Sequence, residues 1–196
     1  MADTYDQEND LTGFWNDVLQ GDTRAYARIH GHLHPVLYRY ALAMLGDGEL
    51  AEDAVQEVFI RIWYKKEQIG ALNSIRAYFF TAIRRQALNQ LRGLRNLHIL
   101  PAKEPDIEFS PEDILIEQED QQEKKTRISQ YLNQLPRRQR EVIYLRFYEE
   151  LSYAEIADIM QVNYQSVINL AHKAISQLRS LMGHIPLWWL ILAHLR

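Results

Sequence analysis

The stretch AEDAVQEVFIRIW, residues 51–63, carries a row of carboxylate and amide groups opposite an apolar face. Its apolar positions recur at helical spacing: Ala54, Val55, Val58, Phe59 and Ile62. Asp53, Gln56 and Glu57 fall outside that face. Such a row can bind a cationic partner, or it can be a solvated face whose acidic first turn is favoured by the helix dipole.

The segment that follows has the opposite charge, although the whole chain of 196 residues has a formal net charge of -4. No acidic residue occurs between Gln68 and Lys103. The cations of this segment are Arg76, Arg84, Arg85, Arg92, Arg95 and Lys103. Arginines without acidic neighbours are suited to phosphate groups. Tyr78, Phe79 and Phe80 lie among them, and at least one of these rings is expected in the core.

A third group of polar residues lies in LSYAEIADIMQVNYQSVINLAHKAISQLR, residues 151–179. Ser152 and Glu155 form the capping-box pattern S-x-x-E, which fixes the start of a short helix. A tight turn at Gln161 and Val162 follows, and Asn163 is positioned to cap a longer helix. This order is typical of a helix-turn-helix that binds DNA, and also of an ordinary helical hairpin.

The apolar spacing of this motif divides its residues into two faces. The predicted buried face contains Ile156, Ala157, Met160, Val167, Leu170, Ala171, Ala174 and Leu178. The predicted outer face of the longer helix contains Gln165, Ser166, Ile168, Asn169, His172 and Lys173. Most of the outer groups can hydrogen bond with base edges or phosphates, and small alanines at the crossing allow close packing, so DNA binding is favoured.

Helical periodicity dominates the rest of the chain, and no alternating β-branched run is bounded by hairpin turns, so the sequence predicts an all-α fold. Four helices are expected in the first part of the chain. The first covers about 11–20, and the second runs from the N-cap Asp22 to about Leu45. The third covers about Glu49–Lys66 and the fourth about Ser74–Leu94. Gly31 and Pro35 predict a bend or break in the second. Two more are expected before the helix-turn-helix, from Ser110 and Pro111 to about Asn133 and from Leu135 through RRQREVIYLRFYEE.

The sequence thus predicts two small helical domains joined by an acidic flexible linker, with the helix-turn-helix in the second. The expected ranges are 1–96 for the first domain, 97–110 for the linker, 111–183 for the second domain and 184–196 for an apolar tail. The apolar run in the tail is much shorter than the ~20 residues of a bilayer span. It can pack on the second domain, touch a regulator or rest at a membrane surface.

Several kinds of chemistry are not supported by the sequence. The chain has no Cys, which excludes disulfides and thiolate sites and fits a cytoplasmic location. The N-terminus is polar and does not resemble a secretory signal, which fits the same location. His30, His32 and His34 alternate, but neither Cys nor a nearby carboxylate supports a metal site, so no metal or cofactor is predicted. Without a phosphate loop or a nucleophile elbow, neither an enzyme nor a small-molecule substrate is expected.

Residues 11–182 resemble the extracytoplasmic-function (ECF) sigma factors of bacterial RNA polymerase, within the sigma-70 family. AEDAVQEVFIRIW resembles the family's polymerase-binding helix, and SIRAYFFTAIRRQALNQLR resembles its promoter-melting helix. LPRRQREVIYLRFYEELSYAEIADIMQVNYQSV resembles the domain that reads the upstream promoter element. The two motif sets occur in the family's order and separation.

The resemblance implies a role for each group of residues. Asp53, Gln56 and Glu57 would dock on a basic coiled coil of the polymerase's largest subunit. The downstream promoter element would be recognised and opened by Asn73, Arg76, Tyr78, Arg84 and Arg85. The upstream element would be contacted by Arg146, Ser166, Ile168, Asn169, His172 and Lys173. The linker would thread the polymerase's active-site channel, or be merely solvated.

Four positions depart from the family pattern. Arg85 and Asn89 stand where the family usually has Asn and Asp. Ile168 stands where it usually has a basic residue, and Leu170 where it usually has another basic or polar group. The expected function is a sigma factor that directs promoter-specific initiation with core polymerase, promoter DNA and an anti-sigma factor as partners. The alternative is a stand-alone helix-turn-helix regulator, which would leave the acidic row and the arginine-rich helix without a purpose.

Overall fold

The computed structural model describes residues 2–96, 106–111 and 122–182, and regular structure within these ranges is helical throughout. The chain divides into two compact units, Met1–Asp106 and Ile107–Arg196. The tail at 184–196 lies outside the described residues. The all-α prediction is therefore confirmed for the described chain.

The first unit contains four α-helices. They are α1 (Ala2–Leu19), α2 (Thr23–Leu45), α3 (Gly48–Ile69) and α4 (Ile75–Asn96). The predicted start of α1 near residue 11 was wrong, because the polar residues before it carry no apolar period that would indicate a helix. Helices α2, α3 and α4 follow the predicted ranges within a few residues.

Short acidic side chains fix the starts of α2 and α3. The Asp22 carboxylate accepts hydrogen bonds from the backbone N–H groups of Arg24 and Ala25 at 2.7 and 3.3 Å, as predicted. Asp47 does the same for Glu49 and Leu50 at 2.9 and 3.0 Å. Each carboxylate satisfies donors that have no partner inside the helix and also favours the positive end of its dipole.

The predicted bend or break in α2 does not interrupt the helix, which continues through Gly31 and Pro35. Proline removes one backbone hydrogen bond, but Leu33 and Leu37 on either side of it are buried in the core. Packing of the apolar face outweighs the local preference. Helix α2 ends where Gly46 adopts a left-handed conformation at φ 70°.

Aromatic side chains fill the centre of the first unit. Its fully buried rings are Trp15, Tyr40, Phe79 and Phe80. The Trp15 indole donates a hydrogen bond to the Gly70 carbonyl at 2.8 Å and so ties α1 to the turn between α3 and α4. Gly70 has a φ of 66°, which favours glycine at this turn.

The second unit contains α5 (Gln122–Asn133), α6 (Arg137–Ile143), a π-helical turn (Tyr144–Tyr148), α7 (Tyr153–Met160) and α8 (Tyr164–Met182). Of the helix expected from Ser110 to about Asn133, α5 forms the last part, and residues 112–121 lie outside the described ranges. The helix predicted through RRQREVIYLRFYEE is present as α6 and the π-helical turn that directly follows it, but the change to π-helical winding at Tyr144 was not predicted. Apolar periodicity alone does not reveal such a local change.

Residues 107–110, at the end of the predicted linker, pack on this second unit. Ile107 and Phe109 are buried. The Asn133 side chain accepts from the Phe109 N–H and donates to the Phe109 carbonyl, both at 2.9 Å. The buried Arg140 donates to the carbonyls of Ile107 and Leu135 at 2.8 and 3.0 Å. These bonds give the segment a fixed backbone path.

Candidate functional site

The acidic row lies on the exposed face of α3. Asp53, Gln56 and Glu57 are all exposed. The opposite face is buried through Ala54, Val55, Val58, Phe59 and Ile62, as the sequence predicted. Because the apolar side chains are used by the core, the three polar groups are available to an external partner.

Two members of this row are held by neighbouring side chains. The Gln56 amide donates to Glu52 at 3.0 Å, and Glu57 accepts from Arg61 at 3.1 Å. Arg61 also donates to Gln86 on α4 at 2.7 Å. Asp53 makes no hydrogen bond or ion pair with any described residue. The row thus combines two oriented polar groups and one unpaired carboxylate.

The histidines of α2 lie beside this row. The rings of His30 and His34 are 4.8 Å apart, and His34 Nε2 lies 3.1 Å from a carboxylate oxygen of Glu52. The expectation that no carboxylate lies near the histidines was therefore wrong, because Glu52 approaches from the next helix. Even so, no group of three suitable ligands among the described side chains is arranged to hold a metal ion.

This contact changes the titration of two groups. The pKa of Glu52 is lowered by the Gln56 hydrogen bond first and then by His34. The pKa of His30 is lowered by burial first and by His34 second, while Glu52 opposes the shift. The contact between His34 and Glu52 therefore links α2 to the acidic row of α3.

Helix α4 presents a basic row on its exposed side. The Ser74 hydroxyl caps the helix by accepting from Ala77 N–H at 3.1 Å, and Asn73 is exposed just before it. Tyr78, Arg85 and Arg92 follow at seven-residue spacing, and both arginines are exposed. Arg76 and Arg84 are half-buried. Among the residues predicted to contact the downstream element, Tyr78 and Arg85 thus lie on the same side of α4.

Tyr78 differs from the two phenylalanines that follow it. Phe79 and Phe80 are fully buried, which confirms that the core contains at least one of the three rings. Tyr78 is only half-buried. Burial raises the pKa of its phenol, and the positive charge of Arg85 opposes that shift. The phenol remains neutral at ordinary pH and can donate a hydrogen bond at the surface.

The helix-turn-helix has the predicted local geometry. Ser152 and Glu155 form both bonds of the capping box at the start of α7. Gln161 takes a left-handed conformation with φ 55° in the turn. The Asn163 side chain accepts from Ser166 N–H at 2.7 Å and caps α8. All three local predictions are confirmed.

The exposed face of α8 contains four of its predicted members: Gln165, Asn169, His172 and Lys173. The Gln165 amide donates to Asn169 at 3.2 Å, so these two side chains are aligned with each other. Ser166 and Ile168 are half-buried at the border of this face. Leu170, which was predicted on the buried face, is half-buried as well. Tyr164 is 53% exposed at the start of α8 and was missed by the sequence analysis.

Both units match known protein families. Residues 29–96 match the Sigma-70 region 2 family, and residues 125–178 match the family described as Sigma-70, region 4. The ECF RNA polymerase sigma factor SigL of Mycobacterium tuberculosis is 32% identical over 145 residues, which cover 74% of this chain and 81% of that relative. The chain belongs to the ECF RNA polymerase sigma factors.

Two solved structures have the same fold as this chain. CnrH, in complex with the cytosolic domain of CnrY, matches with a TM-score of 0.62 and 17% identity over 90% of this chain and 99% of that one. RpoE of Bartonella quintana, in complex with the anti-sigma factor NepR, also matches with a TM-score of 0.62. The identity is 20%, and the match covers 83% of this chain and 99% of that one.

As an ECF sigma factor, the chain directs promoter-specific transcription initiation by RNA polymerase. The region 2 match covers most of α2 and all of α3 and α4, which a stand-alone helix-turn-helix regulator would not need. That alternative is therefore not favoured. No helix in the described part of this sigma factor is both long and apolar enough to cross a membrane.

Arg146 of this sigma factor has two intramolecular partners. Its guanidinium donates to the Leu151 carbonyl at 3.1 Å and lies 5.3 Å from the centre of the Tyr153 ring. Both contacts lie at the junction between the π-helical turn and α7. The predicted phosphate-binding arginine therefore also holds the loop that precedes the helix-turn-helix.

Proposed function

We propose that the exposed row of Asp53, Gln56 and Glu57 binds core RNA polymerase through a basic coiled coil of its largest subunit. The supporting observation is that α3 buries Ala54, Val55, Val58, Phe59 and Ile62 on one side and presents carboxylates on the other. Docking would need to displace Arg61 from Glu57, but an exposed pair at this spacing is worth only about 0.3–0.5 kcal/mol. A cation of the polymerase can replace Arg61 at little cost.

Promoter contacts are assigned to α4 and α8. We propose that residues 1–96 also recognise and melt the downstream element, with Asn73 and Tyr78 at bases and Arg76, Arg84 and Arg85 at phosphates. Residues 111–183 recognise the upstream element through Asn169, His172 and Lys173 in the major groove, with Ser166 and Ile168 at its border and Arg146 at the phosphate backbone. Residues 97–106 connect the two, and 107–110 pack with the second unit.

Regulation by an anti-sigma factor is also proposed. RpoE of Bartonella quintana was solved with its anti-sigma factor NepR, and CnrH with the cytosolic domain of CnrY. A partner that covers α3 or α8 would compete with polymerase or promoter, which is the simplest form of inhibition. We place the protein in the cytoplasm, where its polymerase and promoters are, and assign it no catalytic activity of its own.

Charge reversal tests the docking assignment. Asp53→Lys with Glu57→Lys should abolish co-elution with core polymerase and leave the helix content seen by circular dichroism unchanged, because both side chains point away from the core. Asp10→Lys with Asp17→Lys is the matched control, since it makes the same charge change at exposed positions of α1. Undiminished co-elution of the α3 variant would place the docking surface elsewhere.

A further inference from the structure

Two large apolar side chains are exposed on α3. Ile60 is 54% exposed and Tyr64 is 80% exposed, which are the highest values among the large hydrophobic residues of the described chain. They are four residues apart, so they lie one turn from each other on the same side of the helix. A contiguous apolar pair in water is unfavourable and often marks a contact with another molecule.

The pair is collinear with the acidic row. At 3.6 residues per turn, positions 53, 56, 57, 60, 64 and 67 of α3 fall within a band roughly 100° wide and about 21 Å long. Asp53 and Glu57 lie on one side of the apolar pair along this band, and the exposed Glu67 lies on the other. We call the band formed by Asp53, Gln56, Glu57, Ile60, Tyr64 and Glu67 the α3 stripe.

The α3 stripe has the composition of a protein interface. Protein interfaces typically have an apolar or aromatic centre surrounded by a polar rim, and tyrosine is enriched among the residues that dominate binding energy. Here Ile60 and Tyr64 form the centre and the carboxylates form the rim. Among the described residues, the other exposed large hydrophobic side chains, Leu42 and Tyr164, are single and lie on α2 and α8.

We infer that Ile60 and Tyr64 are the apolar centre of the polymerase-docking surface, and this inference rests on the proposed function of the acidic row. The acidic rim selects a basic partner, which is the same coiled coil that the row is proposed to bind. That partner must carry an apolar group opposite Tyr64 between two cationic positions. The carboxylates supply long-range attraction and orientation, whereas the apolar pair supplies contact area that salt does not screen.

Measuring the affinity for core polymerase at two salt concentrations separates the contribution of the apolar pair from that of the carboxylates. Using the full chain, Tyr64→Ser should weaken binding about tenfold and Ile60→Ser somewhat less, because truncating a central aromatic residue commonly has that effect. The reduction should be the same at low and high salt. Tyr64→Phe should retain most of the affinity. Leu42→Ser is the matched control, since it removes an exposed apolar side chain outside the α3 stripe, and should bind like the parent.

The outcomes separate this inference from the proposed function. If Asp53→Lys with Glu57→Lys abolishes binding while Ile60→Ser and Tyr64→Ser leave it unchanged, the apolar centre is wrong and the acidic docking row stands. If none of these variants changes binding, both are wrong. The apolar tail at 184–196 is the alternative partner for Ile60 and Tyr64. The same serine variants in a chain ending at residue 183 test this alternative. A decrease in affinity that disappears without the tail would overturn the inference.

Discussion

At the residue scale, Ile168 is the position where this sigma factor differs most from the cationic recognition helix that its family resemblance implies. The side chain is half-buried between Val167 in the core and the exposed Asn169. It therefore contributes its inner part to packing and can offer its outer methyl groups to the major groove. A thymine methyl group is the natural partner for such a surface.

Replacing Ile168 separates base recognition from general affinity. Ile168→Ala should reduce discrimination at one base pair by about 1 kcal/mol and leave the salt dependence nearly unchanged, because an apolar contact releases no counterions. Binding to a promoter library at two salt concentrations measures both quantities, with a thermal melt to correct for weakened packing. The methyl contact would be contradicted if Ile168→Ala kept every base preference and Ile168→Arg strengthened binding to all sequences. Ile168 would then make no base contact and would only replace the cation that binds phosphate in the family.

His30 sets a pH dependence for the first unit. Because burial and His34 lower its pKa below 6.5 in the folded chain, the unfolded chain takes up the proton first as the pH falls. This contribution to stability is therefore present above about pH 6.5 and declines as the pH falls through the folded pKa. The pKa of Glu52, lowered below 4.5, adds a second decline in stability at lower pH.

Urea unfolding at pH 7.5 and 5.5 measures this effect. His30→Gln should reduce the difference in unfolding free energy between the two conditions, because the substituted side chain does not titrate. His172→Gln, at an exposed position of α8, is the control and should leave the difference as it is in the parent. An equal pH response in both variants would mean that His30 is not the responsible group.

At the element scale, α4 is both a core helix and a cationic surface. Phe79, Phe80 and Ile83 are fully buried, and the Trp15 bond to Gly70 fixes the turn from which the helix starts. The basic row at Tyr78, Arg85 and Arg92 is consequently carried on a rigid support. Rigid placement matters because each phosphate contact depends on the direction of a long side chain.

Arg84→Ala with Arg85→Ala should impair promoter opening and reduce the salt slope of binding by about one unit for each phosphate group that the variant no longer binds. Since Arg85 is exposed and Arg84 is half-buried, Arg85→Ala alone should account for more of the change. Permanganate reactivity of thymines in the melted strand measures opening, and Arg39→Ala on the exposed side of α2 is the control. Normal thymine reactivity in the double variant would remove α4 from the melting step.

At the scale of the whole molecule, the segment 107–111 belongs structurally to the second unit. Ile107 and Phe109 are buried there, and Asn133 and Arg140 bind their backbone. Phe109 also contacts the rings of Tyr144 and Tyr148 at 5.9 and 5.2 Å, which are themselves stacked in the π-helical turn. Residues 107–110, which were predicted as the end of the linker, are therefore part of the second unit.

Phe109→Ala should destabilise the second unit by about 3–5 kcal/mol, because it removes a buried ring from a packed aromatic cluster. Hydrogen exchange in the full chain measures this directly, and amides of α6 and α8 should become less protected. Glu108→Ala changes an exposed neighbour and should leave the exchange as in the parent. Unchanged protection in Phe109→Ala would mean that the segment contributes nothing to folding.

The features that the sequence determined by itself are local ones. Asp22, the capping box of Ser152 and Glu155, and the Asn163 cap each act over two or three residues, so their consequences can be inferred without knowing the fold. Helical periodicity likewise predicted which residues of α3 are buried. Together with the motif order, these signals were enough to indicate the all-α class and the sigma-factor family.

Only the tertiary structure decided the features that depend on distant neighbours. Glu52 meets His34 across 18 positions of the chain, and Asn133 binds Phe109 across 24, and no local pattern predicts either pair. Ile60 and Tyr64 have the side-chain types of core residues, but no described helix covers them, so they remain exposed. A side chain is buried or exposed according to what packs against its face, and that is a property of the assembled helices.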